Sequence, residues 1–239
     1  PDASIRLIMD KQSGDYISLN GYGVLRATYY NKGAFDMFGN YAIERGVYKL
    51  TIQNVIKKEF TFEQGSTIAF NGDPYAAHLN MKAIYTANGV SLSDLNIGKS
   101  FSNNTIRVNC LMNITGTPAA PKVSFDLDLP TVNSNAKQMI YSLINGEEEM
   151  NQQVLYLLAV GRFYTQGRNN ADLGNANAQS RTSLAMQSLL SSTLSQQLNN
   201  VLGTVVNNTN WNFGANIATG DDGWGNAEYE GLLSGRLLN

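Results

Sequence analysis

Alternation of apolar and polar residues with a period of two is the feature that most constrains how this sequence folds. It is clearest in residues 122–129, where every odd position is apolar and every even position is polar. Successive side chains of a β-strand point to opposite faces of its sheet, so the pattern is typical of a strand with one buried and one solvated face. Residues 79–85 and 105–115 repeat the pattern less regularly. The sequence therefore predicts a mainly β fold.

Shorter runs extend this prediction to the first half of the chain. We expect further strands at residues 4–9, 16–20, 23–30, 47–53, 55–62 and 66–70. Turn-forming pairs, among them Asn20-Gly21 and Asn88-Gly89, separate several of these runs. Strands at this spacing with no helical pattern between them indicate an antiparallel meander, a sandwich or a barrel-like sheet.

The apolar positions of the three clearest strands predict one shared face. Its residues are Leu79, Met81, Ala83, Tyr85, Ile106, Val108, Cys110, Met112, Val123, Phe125 and Leu127. If this face is not closed over a core, it forms a groove that can hold acyl chains, since each buried CH₂ contributes about 0.8 kcal/mol. The alternative is an ordinary sandwich whose own side chains fill the same space.

The pattern becomes helical after Pro130. Ser134 is expected to cap a first helix, and Asn145 a second, whose first turn carries acidic residues 147–149 near the positive end of the helix dipole. A third helix is predicted over residues 180–202. We thus expect a grooved sheet domain at 1–130, a helical pair at 131–165, a flexible loop at 166–179, and an amphipathic helix with C-terminal strands at 180–239.

The third predicted helix and the strands after it have an unusual composition. No charged residue occurs between Arg181 and Asp221. Such a helix either packs on the sheet or lies inside another protein or at a lipid interface, where charges are costly to desolvate.

Residues 211–219 and 227–238 alternate like the two strands of a hairpin. An isolated hairpin is marginal in water, and its unpaired edges can add to another sheet. The last 60 residues therefore predict a docking element. Its anchors are Leu190, Leu194, Leu198, Val201, Trp211, Phe213, Ile217, Tyr229 and Leu232.

Groups for catalysis, metal binding or nucleic-acid binding are scarce. The chain has one His and one Cys, so a multi-cysteine or His-rich metal site is excluded. His78 has no nucleophile motif beside it, and Cys110 falls on the apolar face of its strand. A net charge of −2 gives no electrostatic reason to bind phosphate backbones. We expect no enzyme, no cofactor and no nucleic-acid partner. The acidic, glycine-containing loop at residues 221–228 is better explained as a turn than as a calcium site.

Three segments in order resemble segments of the TamB family. They are IAFNGDPY (68–75) followed by LNMKAIY (79–85), LMNITGTPAAPKVSFD (111–126), and the helical LINGEEEMNQQ (143–153). The resemblance covers residues 47–163 well and the remainder by layout, and it is to the C-terminal domain of translocation and assembly module subunits.

The resemblance implies an AsmA-like envelope protein of the bridge-like lipid-transfer type, with a curved, U-shaped sheet (a β-taco) and no catalytic residues. It implies a periplasmic location, an upstream part anchored in the inner membrane and a C-terminal end at the outer membrane. The implied partners are a BamA-superfamily barrel such as TamA and phospholipid acyl chains. The implied roles are outer-membrane protein assembly, phospholipid transport, or both. The alternative from the residues alone is a secreted β-sandwich adhesin or binding module.

Overall fold

A computed structural model describes residues 2–10, 15–30, 35–52, 56–98, 104–165, 211–216 and 230–234. In this part of the chain, eleven strands form one curved antiparallel sheet that is accompanied by two helices. The strands are β1 (Asp2–Asp10), β2 (Asp15–Gly23), β3 (Arg26–Tyr29), β4 (Phe35–Ile52), β5 (Ile56–Phe62), β6 (Thr67–Gly72), β7 (His78–Ser91), β8 (Thr105–Gly116), β9 (Pro121–Asp128), β10 (Trp211–Asn216) and β11 (Glu230–Ser234). The helices are α1 (Ser134–Ser142) and α2 (Gly146–Val160). The predicted mainly β fold with a curved antiparallel sheet is confirmed.

The sheet is a meander to which a hairpin has been added. Its order is β11-β10-β1-β2-β4-β5-β7-β8-β9. The 18-residue strand β4 carries two strands on each side: β2 and β3 on one, β5 and β6 on the other. The C-terminal strands β10 and β11 pair with each other, and β10 pairs with β1. The strands β10 and β11 thus widen the sheet beyond β1.

Two predicted Asn-Gly turns are wrong, because both strands continue through them. The pairing of β7 with β8 shifts register between Ala87 and Val90, where Gly89 has φ +65°. The pairing of β2 with β4 shifts between Asn20 and Gly21. Gly89 uses its positive φ in a β-bulge as it would in a turn, whereas Gly21 has no positive φ and lies against the Ala42 carbonyl of β4. Neither dipeptide ends its strand.

The helices begin close to where the sequence predicts. The cap of α1 is Asn133, one residue before the expected Ser134, and its side chain accepts a 2.9 Å hydrogen bond from the Ala136 N–H. Asn145 precedes α2 as expected, and its backbone N–H donates to Glu149 Oε2 at 2.7 Å. Gly161 ends α2 in the left-handed conformation at φ +74°, which favours glycine.

Helix α2 lies inside the curve of the sheet. Residues 154–158 are five consecutive buried positions, which together face every direction around a helix of 3.6 residues per turn. The helix packs on β9, β8 and β5. The hydrophobic core is therefore the space between the sheet and α2.

A bidentate ion pair fastens the C-terminal end of α2 to the sheet. Arg162 Nε donates to Asp94 Oδ2 at 3.0 Å, and one terminal nitrogen donates to Oδ1 at 2.7 Å. The Asp94 side chain is 2% exposed and that of Arg162 is 42% exposed. Asp94 lies in the short 3₁₀ helix that follows β7, so the pair joins segments 68 residues apart.

We predict that Arg162→Met lowers the free energy of unfolding by about 1–3 kcal/mol, because a buried carboxylate loses its charged donor. Chemical denaturation followed by circular dichroism measures this loss. Adding Asp94→Asn to Arg162→Met should recover part of the stability, since the buried charge is then removed. The exposed Lys57→Met is the control. An Arg162→Met variant as stable as the wild type would contradict the role of this pair.

Candidate functional site

The predicted apolar residues of β7, β8 and β9 come together in one core. The register places them in rows across the three strands: Met81, Ile114 and Val123; Ala83, Met112 and Phe125; Tyr85, Cys110 and Leu127. Tyr85 is half-buried and packs against the core. The others are at most 9% exposed: Leu79, Met81, Ala83, Ile106, Val108, Cys110, Met112, Val123, Phe125 and Leu127.

The apolar face extends well beyond the residues that the sequence indicated. Strands β2, β4 and β5 contribute large side chains that are less than 5% exposed. They are Ile17, Leu19, Tyr41, Ile43, Tyr48, Leu50, Ile52, Ile56, Phe60 and Phe62. Period-two alternation in residues 47–52 and 56–62 could have found about half of this set. The face therefore runs continuously from β2 to β9.

Side chains from the helices cover the outer edge of β9. Asn151 on α2 is fully buried, and its Oδ1 accepts a 3.2 Å hydrogen bond from the Phe125 N–H. The Tyr141 hydroxyl on α1 donates to the Leu127 carbonyl at 3.0 Å. Covering an edge in this way prevents another strand from adding to it. The sheet is closed to strand addition at these positions of β9.

A second buried amide holds the chain that leaves α2. Gln153 Nε2 donates to the Tyr164 carbonyl at 2.8 Å, and Gln153 Oε1 accepts from the Tyr164 N–H at 2.9 Å. The Tyr164 ring stacks edge-on against Tyr156, with centroids 5.5 Å apart. Phe163 between these contacts is 2% exposed. The segment after α2 thus lies against the helix.

The single cysteine lies on the floor of the apolar face. Cys110 is fully buried on β8, and burial raises the pKa of its thiol from 9.0 to about 12. A thiol with so high a pKa is a poor nucleophile at neutral pH. Tyr41 is buried on the same face, and burial raises the pKa of its phenol to about 12. Neither group is arranged for acid–base or nucleophilic chemistry.

An open groove of about 760 Å³ lies beside the edge of β9. One wall is formed by residues 122–126 of β9 with Asn113 and Thr115 of β8. The other wall is formed by Ile144, Gly146, Glu147 and Met150, at the start of α2. The volume is in the range of small-molecule sites. No local sequence pattern indicates this groove, since its two walls are distant in the chain.

Metal-binding groups do not converge in the described part of the chain, where no three His, Cys, Asp or Glu side chains could hold an ion. Asp128 pairs with Lys137 at 3.6 Å, and Asp126 Oδ1 accepts from the Leu127 N–H at 2.8 Å. The loop at residues 221–228 lies outside the described residues. None of the helices that the structure describes is long and apolar enough to span a membrane.

The predicted docking element is described only in part. Trp211 and Phe213 lie on β10, and Leu232 lies on β11. The pairing of Ile5 with Phe213 and Leu7 with Trp211 places β10 against β1. The remaining predicted anchors lie outside the described residues: Leu190, Leu194, Leu198, Val201, Ile217 and Tyr229.

Comparison with known proteins identifies a family. A family model described as the TamB C-terminal domain matches residues 1–237, nearly the whole chain. Neither the curated proteins nor the solved structures include a match to the chain.

We predict that Cys110 reacts slowly with a thiol reagent in the native protein. Its thiolate fraction near neutral pH is lower by about three orders of magnitude than that of a thiol with the ordinary pKa of 9.0. Stopped-flow labelling with an aromatic disulfide measures the rate. Because Arg162 fastens α2 over the core, Arg162→Met should raise the labelling rate, whereas Lys57→Met should not. Native labelling as fast as that of denatured protein would contradict a closed core.

Proposed function

The chain belongs to the TamB C-terminal domain family and is a TamB-like envelope protein, and we propose that it acts as a non-catalytic module with two binding surfaces. One surface is the apolar face of the sheet, which holds phospholipid acyl chains. The other is the C-terminal docking element, which binds an outer-membrane barrel of the BamA superfamily. The module serves outer-membrane protein assembly, phospholipid transport, or both. It works in the periplasm as part of a chain anchored upstream in the inner membrane.

The observation that carries the lipid half of the proposal is the continuous apolar face from β2 to β9. Its rows of side chains present no charged group that would select one ligand, which suits long acyl chains. Helix α2 occupies this face in the structure, so a lipid must take over some of the contacts that α2 makes. Displacing α2 removes part of the burial of its own apolar side chains, and the acyl chains must offset that loss with contacts of their own. The polar contacts of Asn151, Gln153 and Arg162 are a further cost.

The edge of the sheet opposite β9 supports the barrel half of the proposal. The β9 edge is covered by Asn151 and Tyr141. In the described part of the sheet, β11 forms the opposite edge. A strand at the edge of a sheet can add to the sheet of another protein through main-chain hydrogen bonds. Family membership favours this docking role over the adhesin alternative.

The lipid half predicts that phospholipid co-purifies with the wild-type protein when it is extracted from membranes. Val108→Asp should abolish retention or folding, because it puts a charge on the floor of the apolar face. Asn109→Asp, on the opposite face of the same strand, is the matched control and should retain lipid. Native mass spectrometry measures the bound lipid. A wild-type protein free of lipid would refute this half, and wild-type stability and envelope integrity in the Val108→Asp variant would refute the shared face.

The barrel half predicts cross-links from photo-reactive residues at Phe213 and Tyr229 to an outer-membrane barrel in cells. A probe at Lys11 should give no such adduct. Deleting residues 180–239 should abolish co-purification with the barrel, since it removes the docking element. Immunoblotting and mass spectrometry identify the partner. Unchanged co-purification after the deletion would assign docking to the sheet or to α1 and α2.

A further inference from the structure

The groove beside β9 has a polar wall on the side of the strands and a partly apolar wall on the side of α2. Five consecutive residues of β9 line it, and consecutive strand residues point to opposite faces. The solvated face gives Lys122, Ser124 and Asp126, whereas the core face gives Val123 and Phe125. Because Val123 and Phe125 are buried, a ligand in this groove meets the polar side chains of the β9 wall and the apolar side chains of Ile144 and Met150 on the α2 wall. An amphiphile matches that division.

The charged groups of the groove are of both signs. Lys122 lies four residues before Asp126 on the same face of β9, roughly 14 Å along the strand, and Glu147 lies on the opposite wall. In the part of the chain that the structure describes, none of these three side chains has an ion-pair partner within 4.0 Å. Lys122 on one wall and Glu147 on the other place a cation and a carboxylate across the groove from each other, which complements a zwitterion.

The apolar wall of the groove is continuous with the core. Val123 and Phe125 are 3–4% exposed and belong to the core. Ile144 and Met150 are partly buried, and they pack against the same core. A chain lying on Ile144 and Met150 is therefore separated from the core only by their side chains.

We infer that this groove binds the head group of a zwitterionic phospholipid. Lys122 binds the phosphate, Glu147 on the opposite wall binds the ammonium group, and Ile144 and Met150 contact the first part of the acyl chains. The inference rests on the proposed lipid function and adds a site where the lipid is selected by its head group. A peptide strand fits this groove less well, because Asn151 already accepts the hydrogen bond of the Phe125 N–H on this edge.

The test uses short-chain phospholipids as monomers with the full chain. Dihexanoyl phosphatidylethanolamine is titrated into the wild type, Lys122→Glu and the control Lys57→Glu, whose lysine is exposed on β5. Isothermal titration calorimetry gives the affinity. Charge reversal at Lys122 should weaken binding by about threefold to tenfold, the range for exposed ion pairs. The control, which has the same net charge, should bind like the wild type.

A second comparison tests the ammonium site. Glu147→Gln should weaken binding of the phosphatidylethanolamine but not of dihexanoyl phosphatidylglycerol, which lacks an ammonium group. Equal weakening for both lipids would overturn the zwitterion assignment. Equal affinity of Lys122→Glu and the wild type would overturn the head-group site. That result would leave the acyl-chain proposal standing, because retention of native phospholipid tests it separately. Failure of the wild type to bind either lipid would also overturn the site.

Discussion

Burial of helix α2 within the curve of the sheet is the interaction on which the rest of this structure depends. A long sheet whose strands alternate has one apolar face that must be covered, and a curved sheet covers only part of its own face. Helix α2 supplies the remaining surface with residues 154–158. Each fully buried Val or Leu contributes about 1.5–3 kcal/mol of stability. These five residues, about one and a half helical turns, therefore contribute a large part of the hydrophobic stabilisation of the core.

The polar contacts of α2 determine where the helix lies, which apolar contacts cannot do alone. Burying an amide is unfavourable unless its hydrogen bonds are made, so Asn151 and Gln153 fix the helix at the positions where Phe125 and Tyr164 offer partners. The Asp94–Arg162 pair fixes its other end. The Asn151 contact also covers the β9 edge, so this one side chain both positions the helix and limits the growth of the sheet.

The sequence predicted local structure better than long-range contacts. Strict alternation in residues 122–129 identified β9 and its buried face. The first half of β4 was missed, because Gly39, Gly46 and the exposed pair Glu44-Arg45 interrupt its alternation. The cap at Asn145 and the acidic residues 147–149 indicated the helix α2, but they do not say which surface covers it. The edge contact of Asn151 joins residues 26 apart, and the groove joins β8 and β9 to α2, so neither has a local signal.

The structure also limits how a lipid could use the apolar face. Helix α2 and an acyl chain would compete for the same surface, and hydrophobic contacts do not distinguish between them. The helix has in addition a few directional bonds, each contributing about 0.5–1.5 kcal/mol, or about 1.5–3 kcal/mol where a charged group takes part. A lipid has to offset those bonds, and the burial that α2 loses, with buried methylene groups of its own, at about 0.8 kcal/mol each. Many methylene groups are needed for this, so long-chain lipids can displace α2 where short-chain ones cannot, and chain length becomes a condition for opening the core.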